Sequence, residues 1–267
     1  MKRVLTALAM IPVVLYVVLW APYWAVVGVT ALVALLCYYE YRGIVAAYGA
    51  GTLGPLGYTV GMLILLLPQS PGLLPHSESL LVLVLAAALL ALGLALGADD
   101  LRAGILRAAF LALGVVYIFG CWRYAPLLGA TNRYWLLYAL CLNWIGDIGA
   151  YYVGRRFGRH KLAPIVSPGK SWEGAAASLG ASLLFGFLLL RWAIPSVPPG
   201  VALALTAAAN IAGQFGDLCE SGLKRGAGVK DSGTLLPGHG GMLDRVDSTL
   251  FTLPVVYLYV AWRHAGN

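Results

Sequence analysis

Long apolar runs, broken at short intervals by proline, glycine or charge, dominate this sequence. Nine of them follow one another: Val4–Trp20, Tyr23–Tyr41, Gly54–Leu67, Leu80–Leu96, Ile105–Tyr124, Tyr134–Val153, Gly174–Trp192, Val201–Leu223 and Leu250–Trp262. A helix crosses a hydrocarbon layer of roughly 30 Å with about 20 residues, and most of these runs are that long. The third and ninth look short. The breaks hold Ala21–Pro22, Pro68 to Pro75, Asp99–Asp100 and Pro195 to Gly200, all helix-interrupting chemistry. Only 11% of the 267 residues are charged and the mean hydropathy is +0.81, whereas soluble domains carry roughly 25% charged residues. The expected fold class is therefore an all-α polytopic integral membrane protein of about nine transmembrane helices. The first run lacks a cleavage site leading into a soluble domain and reads as a retained span.

Charge placement gives an orientation. With the N-terminus in the cytoplasm and the runs alternating, fourteen of the 18 Lys and Arg residues fall on the inner side. Only Arg123, Arg133, Arg191 and Arg263 fall outside. That asymmetry follows the positive-inside rule and puts the C-terminus outside. The net charge of +7 then reflects topology and anionic headgroups or substrate, and no nucleic-acid partner is expected. Cys37, Cys121, Cys141 and Cys219 lie scattered in apolar runs without metal-site spacing and read as small buried hydrophobes.

Acids divide the chain. Before residue 130 there are only Glu40, Glu78, Asp99 and Asp100, all read as helix ends or loops, while seven of the 11 acids lie past residue 140. Residues 1–130 are expected to form a scaffold. Residues 131–267 are expected to be catalytic, with cytoplasmic loops at 154–173 and 224–247. In the run Asn210–Gly226, Asp217, Glu220, Ser221 and Lys224 are spaced i, i+3, i+4, i+7 and share one helical face. Each charge at the centre of a lipid-facing helix costs roughly 3 kcal/mol, so these three should face a wet cavity, pair with one another or bind an ion. An ion pair from Lys224 to Asp217 or Glu220 would satisfy two charges and leave a third. Asp244 and Asp247, again i, i+3, open the last run beside Ser248. Carboxylates near a helix N-terminus complement its dipole, yet two acid pairs at consecutive helix mouths form an oxygen-rich set that suits Mg²⁺ with substrate phosphates. Asp217, Glu220, Asp244 and Asp247 are the expected metal ligands.

Between the acid pairs runs KRGAGVKDSGTLLPGHGG. Its glycines, Gly240 and Gly241 among them, allow backbone amides close approach to phosphate, and Lys224, Arg225, Lys230 and Arg245 can neutralise it. The P-loop pattern is absent. His239 reads as a phosphate donor, a base or a hydrogen-bonding brace for the loop. Upstream, Asp147 lies inside the sixth run and should face the bundle interior. Arg155, Arg156, Arg159, His160 and Lys161 form a basic cluster, and SPGKSWEG opens the seventh run with Lys170, Ser171 and Glu173. These three could reach the same site, although Ser-x-Glu is also ordinary helix-start chemistry.

The stretch from Ser221 to Asp247, S-x-x-K-R-x4-K-D-x-G-x3-P-G-H-G-G-x-x-D-R-x-D, resembles the signature of the phosphatidate cytidylyltransferase (CDP-diacylglycerol synthase) family. GDLCES, the GRRFGRHKLAP to SPGKSWEG loop and the D-x-x-AYYVGR segment also fit, so the motif-rich resemblance covers about Asp147 to Ser248. Gly169 departs from the pattern, which has Lys there. The resemblance implies an integral enzyme of the cell inner membrane with its active site facing the cytoplasm. The reaction implied is CTP plus phosphatidic acid giving CDP-diacylglycerol and pyrophosphate, with Mg²⁺. It further implies a homodimer, a cavity open to both cytosol and membrane, and room for a second ion such as K⁺ that the sequence itself does not show. Lys230 with Asp231 belongs to this signature. The expected mechanism is in-line attack of a phosphatidate oxygen on the α-phosphorus of CTP. Asp217 and Asp244 are expected to act as metal-holding catalytic residues, aided by Glu220 and Asp247. Lys224, Arg225, Lys230 and Arg245 are expected to neutralise pyrophosphate and the lipid headgroup, and Asp147, Lys170, Ser171, Ser221, His239, Gly240 and Gly241 to bind substrate. Other lipid phosphates, polyprenol-type kinase chemistry and ion transport are the competing readings.

Overall fold

A computed structural model describes residues 2–49, 54–67, 76–236, 238 and 240–265. Among them the chain forms ten α-helices: α1 (Lys2–Leu19), α2 (Tyr23–Ala46), α3 (Gly54–Leu66), α4 (His76–Ala95), α5 (Leu101–Gly114), α6 (Tyr124–Thr131), α7 (Arg133–Phe157), α8 (Trp172–Ala193), α9 (Pro199–Gly226) and α10 (Leu243–Ala265). Each apolar run became helix. The fifth run is longer than expected, because α5, a π-helical turn at Val115–Gly120 and α6 follow one another along Leu101–Thr131. Five helical segments of the described residues are long and apolar enough to cross a membrane: Tyr23–Ala46, Leu101–Thr131, Arg133–Phe157, Trp172–Ala193 and Pro199–Gly226. Large apolar side chains such as Leu89, Leu184, Trp192 and Leu258 project outward from the bundle, an arrangement that suits lipid better than water.

The breaks are where local chemistry puts them. Asp100 caps α5, accepting from the amides of Arg102 (2.9 Å) and Ala103 (3.3 Å). Asn132 caps α7 through the Tyr134 amide at 2.9 Å, and Pro199 occupies the first turn of α9, where its missing N–H is harmless. Three arginines act at the opposite kind of end. Arg123, only 4% exposed, donates to the carbonyls of Ile64 (2.6 Å) and Leu67 (3.0 Å). Arg133 donates to Leu19 O, and Arg191 to Pro195 O at 3.2 Å. Cations at helix C-termini complement the dipole and its unsatisfied carbonyls.

The architecture is helical as expected, with one small addition: β1 (Lys161–Ala163) and β2 (Ser167–Ser171) pair antiparallel between α7 and α8. Ser171 then caps α8 by accepting from the Gly174 amide at 3.1 Å. The last helix is longer than its apolar run: it begins at Leu243 rather than Leu250 and runs 23 residues, with Asp244 in its first turn and Asp247 just after it, at the helix mouth where the sequence put them.

The second half of the bundle packs backbone to backbone. α7 lies along α8 and α9 along α10, with small residues at the seams. A side chain at Gly149 would press on the Ala177 carbonyl at 2.9 Å, and one at Gly216 on the Asp247 carbonyl at 2.8 Å. Buried polar side chains cross these seams. Thr252 of α10 donates toward Asn143 Oδ1 of α7 (3.0 Å), Asn210 of α9 donates to Ser178 (3.0 Å) and Ser182 (2.9 Å) of α8, and Gln214 donates to Asn210 Oδ1 (2.6 Å). The four cysteines are free; Cys37 is buried and Cys219 exposed.

Candidate active site

The shared face of α9 carries the centre of the site. Ser221 Oγ donates to Asp217 Oδ1 at 3.3 Å. One turn on, Lys224 is buried and forms an ion pair with Glu220 and a second with Asp244 Oδ1 at 2.5 Å. The Lys224–Glu220 contact is the ion pair anticipated from i, i+4 spacing, and Asp244 of α10 joins it as a third charge. Glu220 is 1% exposed; its Oε2 faces Lys224, and its Oε1 has no hydrogen bond. Such a group is costly unless charges or ligands surround it.

Asp244 is held by the connection between α9 and α10. Its carboxylate accepts from the Ser232 amide (3.1 and 3.0 Å) and from the Gly241 amide (2.9 Å). Gly240 adopts φ +80°, a left-handed conformation that glycine takes without strain, and a side chain there would meet Asp244 Oδ2 at 2.9 Å. Asp247, a turn further on, accepts from the Ser248 amide at 2.7 Å. Asp217 turns the other way, to Lys170 Nζ on β2 at 2.5 Å.

Two cavities flank these residues. One, of about 450 Å³, is lined by polar groups including Asp147, Arg155, Lys170, Ser171, Gln214 and Asp217. The other, of about 660 Å³, is an apolar groove between α1, α2, α7 and α10, lined by residues such as Val14, Val29, Val33 and Leu140 and ending at Asp244, Arg245 and Asp247. Asp147 and Ser248 line both. The geometry therefore offers a chamber that gathers charged and hydroxyl side chains and a greasy groove, with a common boundary of carboxylate and hydroxyl.

The remaining sequence-derived residues fall as follows. Arg225 braces the hairpin and the loop, donating to Val166 O (3.4 Å) and Val229 O (3.2 Å). Lys230, Asp231 and Arg245 are exposed. His239 lies outside the described residues. Glu173 does not reach the chamber as expected: it accepts from the Arg159 amide (3.2 Å), the His160 amide (3.3 Å) and pairs with His160 Nδ1 (2.7 Å), closing the base of the hairpin. Of the basic cluster only Arg155 lines the chamber.

Sequence reasoning missed Glu40. This α2 residue is 3% exposed and accepts from Ser232 Oγ (2.9 Å), the Met242 amide (2.9 Å) and the Leu243 amide (2.8 Å). Its signal was available: it is the first acid of the chain and the only one before Glu78, set in CYYEYR near the end of an apolar run.

Among the described residues no three of Asp, Glu, His and Cys gather closely enough to cage a metal by themselves. The donor chemistry nonetheless suits a hard cation. The acids are oxygen-only donors, Glu220 has a buried Oε1 without a hydrogen bond, and Mg²⁺ commonly takes one or two carboxylates and completes its shell with water and phosphate.

Comparison with known proteins places the chain in a family. A model of the cytidylyltransferase family matches residues 1–262. The chain is 36% identical to the phosphatidate cytidylyltransferase of Staphylococcus saprophyticus over 197 residues, 74% of this chain and 75% of that protein. It is 38% identical to the phosphatidate cytidylyltransferase of Staphylococcus haemolyticus, with the same coverage. It is 40% identical to that of Bacillus subtilis over 155 residues, 57% of this chain and 58% of the relative. The chain belongs to the cytidylyltransferase family.

Proposed function

We propose that this protein transfers CMP from CTP to phosphatidic acid, giving CDP-diacylglycerol and pyrophosphate. The observation that carries this reading is the pair of cavities, one gathering charged and hydroxyl side chains and one apolar, that share Asp147 and Ser248. A nucleotide triphosphate suits the chamber with Lys170 and Arg155. A diacyl lipid suits the groove, whose polar end holds Arg245. A phosphatidate oxygen attacks the α-phosphorus of CTP, one P–O bond forms, and the bond from that phosphorus to the oxygen of the β-phosphate breaks. The nucleophile is already an anion, so alignment and charge neutralisation dominate.

Within that reading, Lys170 and Arg155 hold nucleotide phosphates, Ser171 and Ser221 add hydroxyl contacts, and Arg245 meets the lipid headgroup. Lys224 keeps Glu220 and Asp244 together despite their like charge. Arg225, Lys230 and the Gly240–Gly241 turn would serve the leaving pyrophosphate, a role carried over from the signature they belong to. Asp217, Glu220, Asp244 and Asp247 would hold Mg²⁺, which when bound neutralises phosphate charge in the transition state.

Nine passes, a cytoplasmic N-terminus and a multi-pass position in the cell inner membrane belong to the same proposal, supported by the five long apolar segments and the charge asymmetry. A homodimer, carried over from the family resemblance, is tested by mass measurement in detergent. The central test is a purified-protein assay of labelled CTP with phosphatidate, with and without Mg²⁺. Appearance of lipid-soluble label together with pyrophosphate supports the reading; its absence from folded protein overturns it.

A further inference from the structure

Nothing in the charge distribution of the first half suggests that it takes part in the site, yet Glu40 reaches into it. A carboxylate buried to 3% exposure needs donors to offset its desolvation. Glu40 has three, all from residues about 190 to 200 positions later: Ser232 Oγ and the amides of Met242 and Leu243. The two amides belong to the start of α10, whose first N–H groups have no partner within the helix. The acid thus performs from α2 the capping task that a neighbouring Ser or Asp usually performs.

The contact is built from both sides. A side chain at Gly233 would lie 2.6 Å from Glu40 Oε1, and one at Gly241 would overlap both Ser232 Oγ and Glu40 Oε2. Two glycines of the phosphate-type connection are therefore needed for Glu40 to enter, not for flexibility. Ser232 passes the constraint on. Its hydroxyl donates to Glu40 and accepts from the Asp244 amide (3.3 Å), and its own amide donates to the Asp244 carboxylate. Asp244 in turn binds Lys224, and Lys224 binds Glu220. The chain of contacts joins α2, α9 and α10.

We propose that Glu40 is a positioning residue for CMP transfer: through Ser232 and the first amides of α10 it fixes where Asp244 stands relative to Lys224 and the two cavities. It touches no substrate. The inference rests on the cytidylyltransferase reading for its kinetic half and on the fold alone for its structural half.

The test uses Glu40→Gln, which keeps the shape but replaces one acceptor with a donor facing donors, and Ser232→Ala, which removes the link and leaves Glu40 in place. A charge-assisted hydrogen bond is worth enough that each variant should lower kcat per folded molecule roughly tenfold or more, alongside a lower thermal midpoint that leaves the protein folded at assay temperature. The double variant should be no slower than the slower single, because both break one path. Glu40→Asp should recover part of the loss. Trypsin should cut after exposed Lys230 faster in Glu40→Gln than in the parent protein, a readout that needs no activity. Wild-type kcat in both variants with unchanged trypsin resistance overturns the inference, as does a loss fully explained by a smaller folded fraction or losses that multiply in the double variant. If Glu40→Gln does not fold, Ser232→Ala alone decides by the same criteria. If the parent protein itself transfers no CMP, the functional reading fails, and the trypsin comparison still decides whether Glu40 holds the connection.

Discussion

The two halves of the bundle differ in how they hold their most buried charges. From α7 to α10, charged and amide side chains lie in clusters that bond to one another, as in Lys224 with Glu220 and Asp244, or Gln214 with Asn210. From α1 to α6, the two buried charges on which the fold leans, Glu40 and Arg123, bond mainly to backbone: Glu40 to the start of α10 and to Ser232 Oγ, Arg123 to the end of α3. Both halves also wall the apolar groove, α1 and α2 on one side, α7 and α10 on the other. The lesson is that a division in charge along the chain is not a division in function. The first half shapes and anchors; the second supplies the reactive surroundings.

The comparison breaks most sharply at the acids. Asp244→Asn should reduce CMP transfer by roughly two to three orders of magnitude, the scale for losing a preorganised charged group. Normal Mg²⁺-dependent turnover by this variant would remove Asp244 from the chemistry. A smaller effect is expected on the opposite wall of the groove. Val29→Trp, on α2 and partly exposed to the cavity, should raise KM for phosphatidate roughly tenfold while leaving KM for CTP alone. Equal changes in both constants would mean that the groove is not the lipid's. Arg123→Ala should lower stability by about 2 kcal/mol, the worth of charged hydrogen bonds to the freed carbonyls, with activity per folded molecule preserved; denaturation in detergent measures the first and active-site-normalised assay the second. The smallest effect should come from Thr252→Val. Interhelical hydrogen bonds in membrane proteins average about 0.6 kcal/mol, so a loss of that order in the same unfolding measurement, with kcat intact, would separate the second half's structural polar groups from its reactive ones.

Much of the bundle was readable because its signals are local. Apolar runs predict helices, and Asp100, Asn132 and Pro199 stand where caps and first turns belong. The i, i+3, i+4, i+7 spacing of Asp217 to Lys224 was enough to foresee one face and the Lys224–Glu220 pair. What escaped were arrangements whose cause is distant in sequence. Lys170 meets Asp217 across 47 positions and Glu40 meets Leu243 across 203, and no periodicity records either. The hairpin escaped because three- and five-residue strands are too short for an alternation to show. The last apolar run was bounded late, at Leu250, because hydropathy cannot distinguish a polar helical turn from a polar loop, although the i, i+3 pair Asp244 and Asp247 already marked the helix mouth.

Arg123, Arg133 and Arg191 carry one more consequence. In the proposed orientation all three lie toward the outer side, and each directs guanidinium protons at a backbone carbonyl at or just past a helix end. A cation committed in that way is a plug for a helix end, with less of its charge on offer to lipid phosphates than its formal count suggests. The electrical contrast between the two membrane faces of this protein is then steeper than a tally of lysines and arginines conveys, and neutralising one of these arginines should disturb helix packing before it disturbs topology.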